Sequence, residues 1–113
     1  MWKDEATAAD ILLAAQDIQR FAVGMTYDDF LRDDKTQAAV VQRISVLGEA
    51  TKRLSQEFRT QHSTIVWKRV VGMRDRCVHG YDQIHLRAVW EVVSRDAPAL
   101  ERYLSDVVRP PTE

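Results

Sequence analysis

"VVQRISVLGEATKRLSQEF", Val40 to Phe58, is the stretch that decides the fold. Its apolar side chains recur at Val40, Ile44, Leu47, Leu54 and Phe58, with Thr51 in the same row. Steps of three and four place all six on one side of an α-helix, and alternation at a period of two is missing. The helix is expected to start near Asp34 and run on toward Phe58. Gly48 lies beside the stripe, where it either lets another helix approach closely or is a weakly tolerated interior glycine. Glu49, Lys52 and Arg53 pair at i+3 and i+4, the usual sign of a solvated face.

The same period extends outward in both directions. Asp4 to Val23 carries Ile11, Leu12, Ala15, Ile18 and Ala22 on one stripe, and Gly24 is a natural stop. In "MTYDDFLRDD", Thr26 with Asp29 three residues on predicts a capped helical turn that buries Tyr27, Phe30 and Leu31. "QHSTIV" reads as a loop, with His62 exposed in it. A third helix is expected to open near Ser63 or Thr64 and to carry Trp67, Val70, Val71, Met73, Arg74, Cys77 and Val78 until Gly80 ends or distorts it. The last helical region begins near His85 with Leu86, Val89, Trp90 and Val93. Pro98 must kink or restart it, with Asp96 as a cap, before Leu100, Tyr103, Leu104, Val107 and Val108. No strand pattern is found. The expected fold is all-α: one domain over residues 1–113, an antiparallel up-down bundle of four main helices plus a short helical turn, with 109–113 as a frayed tail.

Bulk properties narrow the function classes. With 113 residues the chain forms one core. A net charge of −1 gives no overall positive field, so a nucleic-acid site has to be a local basic patch, doubled if the chain oligomerises. A lone cysteine, Cys77, excludes an intrachain disulfide and fits a reducing compartment. The charges in "MWKDEATAADILLAAQDIQRF" argue against a signal peptide or membrane span. The expectation is a cytoplasmic protein.

Chemistry concentrates in "VGMRDRCVHGYDQIH", Val71 to His85. On a straight helix Arg74, Cys77, Val78 and Tyr81 share a stripe, while His79 lies about 140° round from Arg74. Asp75 at i−4 and the helix C-terminus would both favour a protonated His79. A histidine that moves protons, with an arginine fork on the phosphate, suits RNA cleavage by the adjacent 2′-hydroxyl. That reaction requires no metal and spares DNA, which lacks the hydroxyl. The bland alternative is a solvated cluster that complements the helix dipole. Cys77, between apolar neighbours, is expected to pack rather than react. His79, Asp82 and His85, spaced by three, make a weak metal set because Gly80 breaks their register. The sequence has no phosphate-binding glycine loop, no "HExxH" and no cysteine pair.

"MRDRCVHGYD" resembles the signature of the HepT-like toxins of the HEPN ribonuclease superfamily: an arginine, four residues, a histidine, one residue, a tyrosine. Arg74, His79 and Tyr81 fill those places. "GMTYDDFLRDDKTQAAVVQRISVLGEATKRLSQEFR", "WKRVVGMRDR" and "HLRAVWEVVSRDAPAL" also look like that family's successive helices. The resemblance implies an all-helical homodimer and a metal-independent endoribonuclease toxin needing no cofactor. It further implies an MntA-like minimal nucleotidyltransferase antitoxin that transfers AMP to the motif tyrosine. Arg74 and His79 are then the catalytic pair, Asp75 and Arg76 supporting residues, and Tyr81 the modified residue. Asp75 stands where the HepT branch often has asparagine. The rival reading is a non-catalytic helical partner, or substrate-binding subunit, of a minimal nucleotidyltransferase; RNA cleavage separates the two.

Overall fold

The computed structural model describes residues 2–80 and 83–108, with the side chain of Trp2 left out. The helices are α1 (Trp2–Phe21), α2 (Tyr27–Leu31), α3 (Asp34–Lys52), α4 (Gln56–Gln61), α5 (Trp67–Val71), α6 (Met73–Cys77), α7 (Leu86–Glu91) and α8 (Ala97–Val107). A π-helical turn, Val92–Asp96, joins α7 to α8. Two short strands, β1 (Val78–His79) and β2 (Gln83–Ile84), pair antiparallel between α6 and α7. The expected tail, 109–113, lies outside the described residues.

The all-α bundle is present, and its four main rods are α1, α3, the α5–α6 pair, and the run from α7 through the π turn to α8. The centre is α3, which packs against α1, α2, α5, α6 and α7, while α1 also packs on α8. Val40, Ile44 and Leu47 are fully buried. Thr51 is buried in the same row because its hydroxyl donates to the Leu47 carbonyl at 2.8 Å, so no polar atom is stranded. Ile11, Ala15 and Ile18 from α1, and Ala22 just after it, share the buried core with this face. Each Ile or Leu removed from water in this way contributes about 1.5–3 kcal/mol.

The turns show why the rods end where they do. Gly24 has φ +78°, left-handed backbone that stops α1 after Phe21. Thr26 and Asp29 form the expected capping box, with bonds of 3.0 and 3.1 Å. The turn they start buries Phe30, half-buries Tyr27 and leaves Leu31 exposed. α3 does not continue to Phe58. It stops at Lys52, and Ser55 caps a separate α4 by accepting from the Phe58 N–H at 3.0 Å. The carboxylate of Asp4, from the first turn of α1, in turn accepts from the Ser55 N–H at 3.0 Å and from its hydroxyl at 2.7 Å. A break that the apolar period concealed is thus held by a contact across 51 residues.

Three further expectations change, and one is met. The third helix opens at Trp67, not near Ser63, and breaks at Gly72. Pro98 does stand in the first turn of a restarted helix, α8, with a π turn directly ahead of it. It lacks the N–H for the bond to the preceding turn, and the wider π turn ahead of it takes up the mismatch. Asp96 makes no cap there; its carboxylate reaches Arg69 on α5 at 3.4 Å. His62 is half-buried rather than exposed: its ring lies on Phe58, with centroids 4.3 Å apart, and its Nδ1 is 2.7 Å from the Tyr103 hydroxyl.

The hydrogen bonds from Ser55 hold the Asp4 carboxyl below its ordinary value of 3.8, and cap bonds from Thr26 and Thr36 do the same for Asp29 and Asp33. A lowered folded value contributes stability that is present above the unfolded value and is lost as pH falls through the folded one. The urea midpoint should therefore fall steadily as pH drops below about 3.8. Asp4→Asn should be less stable than wild type at neutral pH and should show a shallower acid slope. An equal slope in the two proteins would refute the role given to Asp4.

Candidate active site

The site forms where the third rod ends. α6 is a single short helix after the break at Gly72, and Met73 and Cys77 anchor it in the core at about 1% exposure each. With those two fixed inward, Arg74 and Asp75 face solvent. Arg74 Nη1 stands 3.6 Å from the Asp75 carboxylate, with half of the arginine side chain and most of the aspartate exposed. Such a pair is weak, so an arriving phosphate can take the guanidinium from it. The two residues form one wall of a groove between α3 and the third rod, together with Lys52, Lys68 and Glu49. Gly48 and Gly72 also line it. A Cβ at Gly48 would stand 3.6 Å from the Val71 carbonyl, an ordinary van der Waals contact, so α5 packs beside the glycine without requiring it. Three cations against two carboxylates leave this groove locally positive on a chain that is slightly negative overall.

Arg76 sits differently. Its Nη1 donates to the Arg69 carbonyl at 2.8 Å, across the Gly72 break, and its Nη2 is buried. One side of this guanidinium is thus used to splice α5 to α6. Cys77 is buried, and desolvation pushes its thiol up to about 11, the behaviour of a packing residue.

His79 is not in the last turn of a helix. The helix stops at Cys77, and Val78 is extended at φ −132°, ψ 121°. Val78 leans toward the core while His79 turns outward. The 140° separation from Arg74 and the i+4 spacing to Asp75 belong to a straight helix and do not describe this backbone. Nor does the shared stripe of Arg74 and Tyr81, since helicity does not reach Gly80, which has φ +67°. Tyr81 itself, and Asp82 of the metal spacing, lie outside the described residues.

One residue gains a place that spacing did not give it. The His85 N–H donates to the Cys77 carbonyl at 2.7 Å, which closes the hairpin, and its ring lies edge-on to His79 with centroids 6.3 Å apart. Its Nδ1 accepts from the Ala88 N–H at 3.1 Å and so caps α7. The signal available in the sequence was a polar residue just ahead of an apolar helical run.

A protein-family model described as "Ribonuclease HepT-like" matches residues 11–107. The chain belongs to the HepT-like ribonuclease family. Among its relatives is a candidate RNase of Caldanaerobacter subterraneus subsp. tengcongensis, 35% identical over 86 residues, which is 76% of this chain and 77% of the relative. A ribonuclease HepT candidate of Thermococcus cleftensis is 36% identical over 92 residues, 81% and 84% of the two chains. A candidate RNase of Methanocaldococcus jannaschii is 34% identical over 100 residues, 88% and 83%. No solved structure matches the chain at a comparable significance. Among the described residues no helix is long and apolar enough to cross a membrane.

The different settings of the two arginines predict different phenotypes. Arg76→Ala removes a splice between two helices and should cost about 1–2 kcal/mol of stability, read from denaturant unfolding. Arg74→Ala removes an exposed side chain and should stay within about 0.5 kcal/mol of wild type. The opposite ranking would overturn this division.

Proposed function

We propose that the chain is a metal-independent endoribonuclease, the toxin of a toxin–antitoxin pair, acting as a homodimer in the cytoplasm. The observation that carries the reading is an exposed arginine on a locally positive groove, with an exposed histidine on the strand that directly follows its helix, in a chain of the HepT-like family. Relatives named as RNases support the same reaction class.

The chemistry follows from these groups. His79 takes the proton of an RNA 2′-hydroxyl, and the oxygen bonds to the adjacent phosphorus. The P–O5′ bond breaks, and the 5′-oxygen leaves with a proton from the site or from water. Negative charge gathers on the non-bridging oxygens during the step, where the Arg74 fork meets it. The product is a 2′,3′-cyclic phosphate and a 5′-hydroxyl. Arg76 holds the end of the third rod, and Asp75 occupies the Arg74 guanidinium until phosphate replaces it. Two such helix ends facing across a twofold axis would double the positive charge available to RNA.

Control falls to Tyr81 in this reading. An MntA-like nucleotidyltransferase joins the tyrosine oxygen to the α-phosphorus of ATP and releases pyrophosphate. The added phosphodiester brings a negative charge and a nucleoside to the motif, where it can pair with Arg74 and exclude RNA.

Purified, unmodified protein should cut RNA in excess EDTA and leave 2′,3′-cyclic ends or their hydrolysis products. Arg74→Ala and His79→Ala should each fold and lose activity by about 100-fold or more. If each site draws on both chains, mixing the two variants should restore part of it. Cleavage that vanishes in EDTA and returns with a divalent ion would refute the mechanism.

Incubation with the cognate nucleotidyltransferase, ATP and Mg²⁺ should add AMP at Tyr81, with RNase activity falling in step. Tyr81→Phe should stay active and escape silencing. AMP found on Tyr27 or Tyr103, or fully modified protein that still cuts RNA, would show the assignment wrong.

A further inference from the structure

The hairpin register brings a second histidine to the site. β1 and β2 pair Val78 with Ile84 and His79 with Gln83, and the next bond joins Cys77 to His85. Residues opposite one another in an antiparallel pair share a face, and so do residues two apart on one strand. His79 and His85 are thus diagonal neighbours on one face, close enough for long side chains to serve a common ligand. Their rings stand edge-on at 6.3 Å, and both residues are exposed.

The second observation fixes the proton on His85. Its Nδ1 lone pair accepts the Ala88 N–H at the start of α7. An imidazole whose Nδ1 accepts carries its hydrogen on Nε2. With Nδ1 held by the cap, the hydrogen on Nε2 is the donor that His85 offers away from α7. A neutral histidine at a helix start can act as an electrophilic donor, stabilising developing negative charge without transferring its proton.

We infer that His85 is a further catalytic residue, whose Nε2–H donates a hydrogen bond to a non-bridging oxygen of the scissile RNA phosphate while His79 moves the proton. The inference rests on the nuclease reading and adds to it a division of labour between two histidines. Arg74 approaches the phosphate from α6, and His85 from the far strand of the hairpin. Between them the two donors meet charge that grows as the 2′-oxygen attacks.

The test is His85→Asn. Asparagine is a favoured N-cap, and its side-chain oxygen can keep the Ala88 bond, but it places no donor at the reach of Nε2. The variant should unfold with wild-type cooperativity, within about 0.5 kcal/mol of the parent. Its kcat for RNA should fall roughly 100-fold with little change in KM, the usual effect of losing one charge-stabilising donor. Sulfur in place of one non-bridging oxygen weakens the bond that oxygen accepts. Wild type should thus prefer one phosphorothioate diastereomer, and the preference should shrink in His85→Asn. Wild-type kcat in the variant, an unchanged diastereomer preference, or a loss confined to KM would each overturn the assignment. Imidazole ¹⁵N spectra of the wild-type protein should place the hydrogen of the neutral His85 ring on Nε2, and the Nδ1–H form would overturn it independently of turnover. Wild-type protein that cuts no RNA would instead refute the nuclease reading on which the assignment rests.

Discussion

Burial of the α3 stripe is the constraint on which the rest of the structure depends. Val40, Ile44, Leu47 and Thr51 form one face, and α1, α2, α5, α6 and α7 are arranged round this helix. A helix that touches five others leaves little freedom in their placing, because packed interiors admit few voids. The packing of α5 and α6 on α3 sets where the third rod lies. That in turn fixes Met73 and Cys77 inward, and so turns Arg74 outward onto the groove.

The candidate site is made by interruptions of helix rather than by helix. Gly72 breaks the third rod, and Arg76 splices the break through the Arg69 carbonyl. Val78 then leaves helical geometry altogether, and the bond from the His85 N–H to the Cys77 carbonyl turns the chain back. Each of these interruptions is tied by a hydrogen bond that straddles it, whereas the break at Ser55 is held from a distance by Asp4. Rigid rods with short, tied breaks let exposed polar side chains be aimed without weakening the core beneath them.

The apolar stripes, the capping box at Thr26 and the stop at Gly24 were legible in the sequence because each depends on neighbours within four residues. The break after Lys52 was not, since Leu54 and Phe58 stay buried and keep the helical period across it. His62 looked like a loop residue because α4 could not be read as a separate helix ending at it, and nothing in the sequence announces the remote Tyr103 as its partner. At the candidate site, Arg74, His79 and Tyr81 were singled out by their resemblance to a family signature, but the directions of Arg74 and His79 could not be read from it. A reading in terms of one continuous helix placed His79 by rotation per residue, and the extended backbone at Val78 removes the basis for that angle.

By itself the sequence determined that this protein is a helical bundle, which faces of its main helices are buried, and that it resembles the HepT-like family. These follow from local periodicity and residue type. Only the tertiary structure decided that the third helix ends at Cys77, that His85 comes to lie beside His79, and that the two motif arginines sit in different settings. The physical reason is the range of the forces involved. Helical hydrogen bonds join residues four apart and leave a period in the sequence, whereas hairpin closure and carbonyl splices join groups by packing and leave none.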